Sequence, residues 1–274
     1  FDLSAGQTPE DIAVAPDGSA DISFSEANQA ARVSLDGRVS VLGQLPRSGG
    51  CPQNNGLPLS LGLVRLPDGT VLLVDCTGDT DTGVWRIRPG QAPVQIASLP
   101  SNGFPNDMVL ASGSGQLYIA DSVLATVWRV PVAGGTPVAW ASDAALANTT
   151  FIGANGIAVH DNAVWVSNTD KGTIVRIPIR SDGTAGPVQT VVSGQAGGID
   201  NFTFVPGTDV IVAAEVVANE VIAIQNGQTS VLLSGADGLE SPTSVAVQRD
   251  TLYVGDAAYV TGKDPNLLLA HIGR

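Results

Sequence analysis

Four side chains far apart in the chain carry the oxygen chemistry of a cation site: Glu10, Asn106, Asn155 and Asp200. Two are carboxylates and two are amides. Such a set, with waters in the remaining positions, suits one hard divalent ion, Ca²⁺ first, with Mg²⁺, Mn²⁺ or Zn²⁺ as alternatives. An ion held this way polarises a carbonyl or acidifies a water. A polar residue before a strand is often only a turn cap, and Asn155-Gly156 is itself a turn dipeptide. Two features argue against that reading. Carboxylate and amide types recur in one register, and Glu10 beside Asp200 would repel without a cation or a shared proton.

That register comes from a repeat. A small residue or proline, two mostly polar residues and then an apolar run recur as PEDIAV, PLSLGL, PNDMVL, ANGIAV, GIDNFTF and PTSVAV. The first strand residues are Ile12, Leu61, Met108, Ile157, Phe202 and Val245, at spacings of 49, 47, 49, 45 and 43. Two places before each stand Glu10, Leu59, Asn106, Asn155, Asp200 and Thr243. Each unit continues with a turn, a second strand, a third carrying an arginine or polar step, and a fourth. Four strands in roughly 45 residues is the period of a propeller blade. The expected fold is therefore an all-β, six-bladed β-propeller with four-stranded blades, one domain over residues 1–274. The sixth unit lacks a fourth strand, and the N-terminal FDLSAG is expected to supply it and close the ring. In that ring Glu10, Asn106, Asn155 and Asp200 converge on the axis at one face, the mouth.

Composition agrees with many short strands: 32 Gly and 17 Pro punctuate the 274 residues, and 14% are charged. The formal net charge of −13 disfavours a nucleic-acid or anionic-membrane partner. No apolar run reaches membrane-spanning length. The expected partner is a small molecule, and the expected state a monomer. Cys51 and Cys76 are the only cysteines. An isolated pair is either two buried thiols or one disulfide. Blade geometry puts both on the mouth side of blade 2, so a disulfide is expected, and with it an oxidising compartment, secreted or periplasmic.

The segments PED, PNDM…LYIADS, GANGIAV…VWVSNTDKGTIVRIPI and IDNFTF resemble the regucalcin/gluconolactonase, or senescence-marker-protein-like, family of six-bladed propellers. The resemblance covers nearly the whole chain and is strongest from Phe104 to Ile179. It implies that Glu10, Asn155 and Asp200 bind a divalent metal, that Asn106 helps hold substrate beside it, and that Asp200 is the general base of lactone hydrolysis. Two departures stand out. The family's fifth-blade Pro-Asp-Gly is Ile199-Asp200-Asn201 here, and SLPSNGFPND lacks the arginine that the sugar-lactone enzymes carry near the third-blade Asn. The implied function is a divalent-metal-dependent lactone hydrolase. The alternatives on this fold are a non-hydrolytic secreted ligand-binding propeller and a metal-free biosynthetic cyclase.

Other residues have plainer expectations. His160 falls in a turn on the face opposite the mouth, and His271 near the C-terminus, neither placed for catalysis. No Gly-x-Ser-x-Gly elbow or phosphate loop occurs. Asp121 and Asn168, ending second strands, are candidates for a further ring of oxygens around the ion. Arg86, Arg129 and Arg176 hold matching third-strand places and are expected to make contacts between blades.

Overall fold

A computed structural model describes residues 1–272. Its strands form six antiparallel sheets arranged as blades, and the first strands of the blades, Pro9–Val14, Leu59–Arg65, Pro105–Ala111, Ala154–His160, Ile199–Phe204 and Pro242–Gln248, line the axis. Five sheets have four strands. Among the described residues the sixth has three, Pro242–Gln248, Thr251–Asp256 and Asn266–His271.

Burial follows the blade seams rather than a central core. Six apolar clusters fill the six seams between neighbouring blades. Ile22 and Phe24 of blade 1, for example, pack with Tyr253 of blade 6, and Leu63 and Leu73 of blade 2 with Ala30 of blade 1. Strands buried on both faces read as near-continuous apolar runs, which is why VLLVDC and LYIAD are so apolar. The axis, lined by the first strands, is free to be polar.

The ring closes differently from the expectation. FDLSAG forms no strand. Asp2 caps a single 3₁₀ turn, Leu3–Ala5, by accepting from the Ser4 and Ala5 amides, and Gly6 follows at φ 71°. A local cap of this kind competes with strand pairing. The segment still bridges the two end blades: Phe1 packs edge-on against Phe24 with centroids 4.9 Å apart, and its nitrogen donates to Pro265 O at 2.9 Å. Side chains of blade 6 complete the closure on the backbone of blade 1. Thr243 Oγ1 donates to Pro9 O at 2.9 Å, Gln248 Nε2 to Ala15 O at 2.9 Å and Tyr253 OH to Gly18 O at 3.2 Å.

The pairing of first and second strands contains a bulge in every blade, and the bulges carry the site. Pairing breaks between Pro9 and Ile12, Ala154 and Ile157, Ile199 and Phe202, and opposite Pro105 to Met108. A bulge leaves residues unpaired and re-aims their side chains. Blade 2 corrects the sequence register. Its break lies between Ser60 and Leu63, with Ser60 opposite Asp75, so Leu61 and Gly62, not Leu59 and Ser60, match Glu10 and Asp11. Leu61 and Leu63 alternate with the strand period, so apolar pattern alone does not separate a register from one shifted by two.

Candidate metal centre

The bulges of blades 1, 3, 4 and 5 bring Glu10, Asn106, Asn155 and Asp200 around one cavity of about 10 Å³ on the axis. That is room for a single water or ion. Asn155 Nδ2 donates to Asp200 Oδ1 and to Thr169 Oγ1, each at 2.9 Å. With its amide hydrogens so committed, the Asn155 carbonyl oxygen is the donor left over for a ligand. Asn106 Nδ2 donates to Ser122 Oγ at 3.2 Å, and Ser122 in turn donates to Ala154 O at 2.6 Å, which ties blade 3 to blade 4. Tyr259 donates to Glu10 Oε2 at 2.7 Å and is also bonded to Ser25 Oγ.

The two carboxyls resist ionisation. Burial, then the charge of Asp200, pushes Glu10 well above the carboxylate range. Burial pushes Asp200 up to about 7, against the Asn155 amide that favours its charge. A cation would offset the cost of burying both charges and the repulsion that Asp200 imposes on Glu10.

A second polar layer, absent from the sequence expectations, lies against the first. Asp11, Asp107 and Asn201 line the same cavity. Asp11 accepts from Leu63 N at 2.6 Å and Asp107 from Ile157 N at 2.9 Å, so each clamps the next blade's first strand. Asn201 reaches across the axis to Asp11 Oδ1 at 3.3 Å. Burial pushes Asp11 up to about 6, and burial plus the Asp11 charge pushes Asp107 well above its usual range. The signal was in the sequence: each follows a proposed site residue, in Glu10-Asp11, Asn106-Asp107 and Asp200-Asn201. In a regular strand consecutive side chains face opposite ways, but in a bulge both can face the axis.

Gly156 shows why blade 4 spends a glycine here. A Cβ there would lie 2.6 Å from Asn201 Cα and 2.8 Å from Asp200 O. Gly156→Ala is expected to push blade 5 off the axis and cost about 1–3 kcal/mol, read as a lower urea midpoint at unchanged slope.

The residues ending the second strands are braces for the mouth loops rather than part of the cavity wall. Asp121 accepts from the amides of Phe104, Val123 and Leu124 and from Trp128 Nε1, and Asn168 Nδ2 donates to Ala145 O and Ala147 O. Asp75, at the same place in blade 2, is fully buried, and its Oδ2 has no partner among the described residues. Burial pushes it up to about 8. An acid raised in the folded state above its unfolded value near 4 contributes stability that is present below pH ~4 and lost as pH rises through the folded value. With chelator present, the protein is therefore expected to lose on the order of a few kcal/mol between pH 5 and 8.5, and Asp75→Asn to flatten that decline. Urea melts of both proteins across this range measure it.

Cys51 and Cys76 are joined in a disulfide with Cα atoms 5.2 Å apart, and pack with Leu59, Leu61 and Phe104 at the mouth. His160 lies on the opposite face. It stacks on Phe204 at 3.9 Å between centroids and bonds Asp209 Oδ1 at 2.8 Å, and with Asp161 and Asp209 it sets three donor atoms within 4.8 Å of one another. His271 is exposed, with Nδ1 3.2 Å from Asp250 O. Arg129 bonds Gly183 O of the next blade at 2.7 Å, while Arg176 sits 5.9 Å over the Trp165 ring of its own blade.

No protein-family model and no curated protein sequence matches the chain. Solved structures do. A gluconolactonase from Xanthomonas campestris is similar at TM-score 0.70 and 16% identity, covering 92% of this chain and 84% of that one. Regucalcin from Agrobacterium tumefaciens, a calcium-binding protein, is similar at TM-score 0.69 and 17% identity, covering 93% and 84%. Virginiamycin B lyase from Staphylococcus aureus is similar at TM-score 0.62 and 15% identity, covering 92% and 93%. The structural neighbours of this chain thus include six-bladed propellers of the regucalcin and gluconolactonase kind, and at these identities the likeness is one of fold.

Proposed function

We propose that the chain is a divalent-metal-dependent hydrolase of a lactone or related cyclic ester, acting at the mouth of the ring. One observation carries the reading. Two carboxylates and two amides from four separate blades meet in a cavity sized for one ion, and burial raises both carboxyls, Glu10 further through the charge of Asp200. The donors fit a hard cation: Glu10 and Asp200 supply charge, and Asn155 a carbonyl oxygen whose amide partners are already fixed. Ca²⁺ is the first candidate, because oxygen donors alone surround the cavity. Once bound, the ion would supply polarisation of the ester carbonyl.

The chain's own groups divide the remaining work. Asp200 takes a proton from water, the water oxygen bonds to the acyl carbon, the ring C–O bond breaks, and the proton passes to the departing alkoxide. Asn106 holds the substrate, and Tyr259 fixes the Glu10 carboxyl. The disulfide points to an oxidising compartment, and we place the protein outside the cytosol, secreted or periplasmic. The test is hydrolysis of a lactone panel by chelated protein, before and after Ca²⁺, Mg²⁺, Mn²⁺ or Zn²⁺ is restored. Activity that vanishes on chelation and returns with one ion supports the reading. Metal binding without turnover of any lactone would instead assign a ligand-binding propeller.

A further inference from the structure

The mouth face is apolar around its polar axis. Among the described residues, seven large apolar side chains are exposed away from the outer strands. Six of them, Leu3, Leu57, Phe151, Val217, Tyr259 and Val260, lie on the mouth face, and Leu35 alone lies on the opposite one. Single exposed apolar residues are ordinary, but a one-sided gathering around a candidate site is not. Contacts tie several of them to the axis. Tyr259 bonds Glu10. Val217 and Thr169 flank the same backbone, since a Cβ on Gly198 would lie 3.4 Å from each, and Thr169 accepts from Asn155. Phe151 is held by Asp170, the residue after Thr169, whose carboxylate accepts its N–H at 2.9 Å.

Charge narrows the ligand further. Three cationic side chains among the described residues stand on this face, and each is engaged. Arg47 Nη1 donates to Ala27 O at 3.3 Å, Lys171 Nζ to Ala144 O at 2.5 Å, and Lys263 Nζ lies 3.4 Å from Glu240 Oε1. One of the three is paired with a carboxylate and the other two are tethered to backbone carbonyls, so an anion would meet few cations among several carboxylates, a balance that disfavours it. The segment before Asn106, residues 98–105, also holds no lysine or arginine.

Resting on the hydrolase reading above, we infer that the substrate is an uncharged lactone or ester bearing an alkyl or aryl substituent. Its ester group sits on the axis and its apolar group lies against Phe151 and Val217. A polyhydroxylated sugar lactone would leave those surfaces exposed to water. Hydrolysis adds one water across the ring C–O bond and needs no other reactant. The hydroxycarboxylate product is an anion, which the acidic face repels, and this assists release.

The test uses γ-butyrolactone, γ-octanolactone, γ-dodecanolactone and glucono-δ-lactone with three proteins: wild type, the double variant Phe151→Ser/Val217→Ser, and Asp200→Asn. The two serine positions are 55% and 63% exposed, so the double variant is expected to fold. Displacement of Nile red, a neutral apolar dye, reads binding without turnover. The expected kcat/KM rises roughly fourfold per methylene until the apolar surface is filled, and the double variant flattens that rise. γ-Dodecanolactone displaces the dye and glucono-δ-lactone does not. A flat profile, or a preference for glucono-δ-lactone that Asp200→Asn abolishes, overturns the substrate class and leaves the hydrolase reading standing. Dye displacement lost in the double variant, with no lactone turned over, supports the apolar site and overturns the hydrolase reading. Neither turnover nor displacement overturns both.

Discussion

Replacing Asp200 by Ala is expected to lower lactone kcat/KM by about a thousandfold or more, because the proposed mechanism gives one side chain the work of both charged ligand and base. The fold should survive. Asp200 is held in the folded protein with its carboxyl pushed up to about 7 by burial, so ionising it there works against folding. Its removal deletes one hydrogen bond to Asn155 and one repulsion with Glu10. Metal-free Asp200→Ala should therefore melt close to wild type at pH 8, while its affinity for the ion falls by about a hundredfold or more. Asp200→Asn separates the two roles. An amide keeps an oxygen for the ion but cannot take a proton at neutral pH, so measurable ion binding should accompany lost turnover. Equal turnover by wild type and Asp200→Asn would remove Asp200 as the base. Calorimetric titration and initial rates on the same preparations give both quantities.

The second large effect belongs to the disulfide. Cys51 and Cys76 are 25 residues apart and close a loop that takes in the end of the approach to blade 2 and its first two strands, Leu59–Arg65 and Val71–Cys76. Loop-closure entropy for that length is worth about 3.5 kcal/mol. For a chain of this size that is ~6–10 °C in Tm. Cys51→Ser/Cys76→Ser is expected to lose this much, and reduction of wild type should match it. The loss should appear locally as well. Both cysteines pack against Leu61, which stands in the blade-2 register of Glu10, so loosening them should raise amide exchange near the mouth before the far side of the ring. Identical melting of both proteins would mean that the apolar packing alone holds this corner.

The blade count was legible because the repeat is long and each blade's buried strands are strongly apolar. VLLVDC, LYIAD and VWVSN read as strands in any frame, and their turns carry Gly, Asp and Asn. The mouth residues were legible for a related reason. Glu10, Asn106, Asn155 and Asp200 repeat one polar step against a constant apolar background. Three features were not legible. The blade-2 register slipped by two because Leu59, Leu61 and Leu63 are chemically equal at strand spacing, and only pairing of Ser60 with Asp75 separates them. FDLSAG read as a closing strand by counting, whereas the Asp2 carboxylate and Gly6 settle it into a turn through local bonds. The layer of Asp11, Asp107 and Asn201 was hidden by the alternation rule itself. A bulge suspends that rule, and the bulges became visible only in the strand pairing. Asp121 and Asn168 illustrate the reverse error, polar residues at a suggestive height whose bonds go to loop backbone instead.

The most direct test of the central claim is anomalous diffraction from crystals grown with Mn²⁺, or with Ca²⁺ replaced by it. A peak is predicted on the axis, with Glu10, Asn155 and Asp200 oxygens at about 2.1–2.5 Å from it and Asn106 beside it. No axial peak in crystals that show Mn²⁺ elsewhere, at His160 and Asp209 for example, would contradict the account.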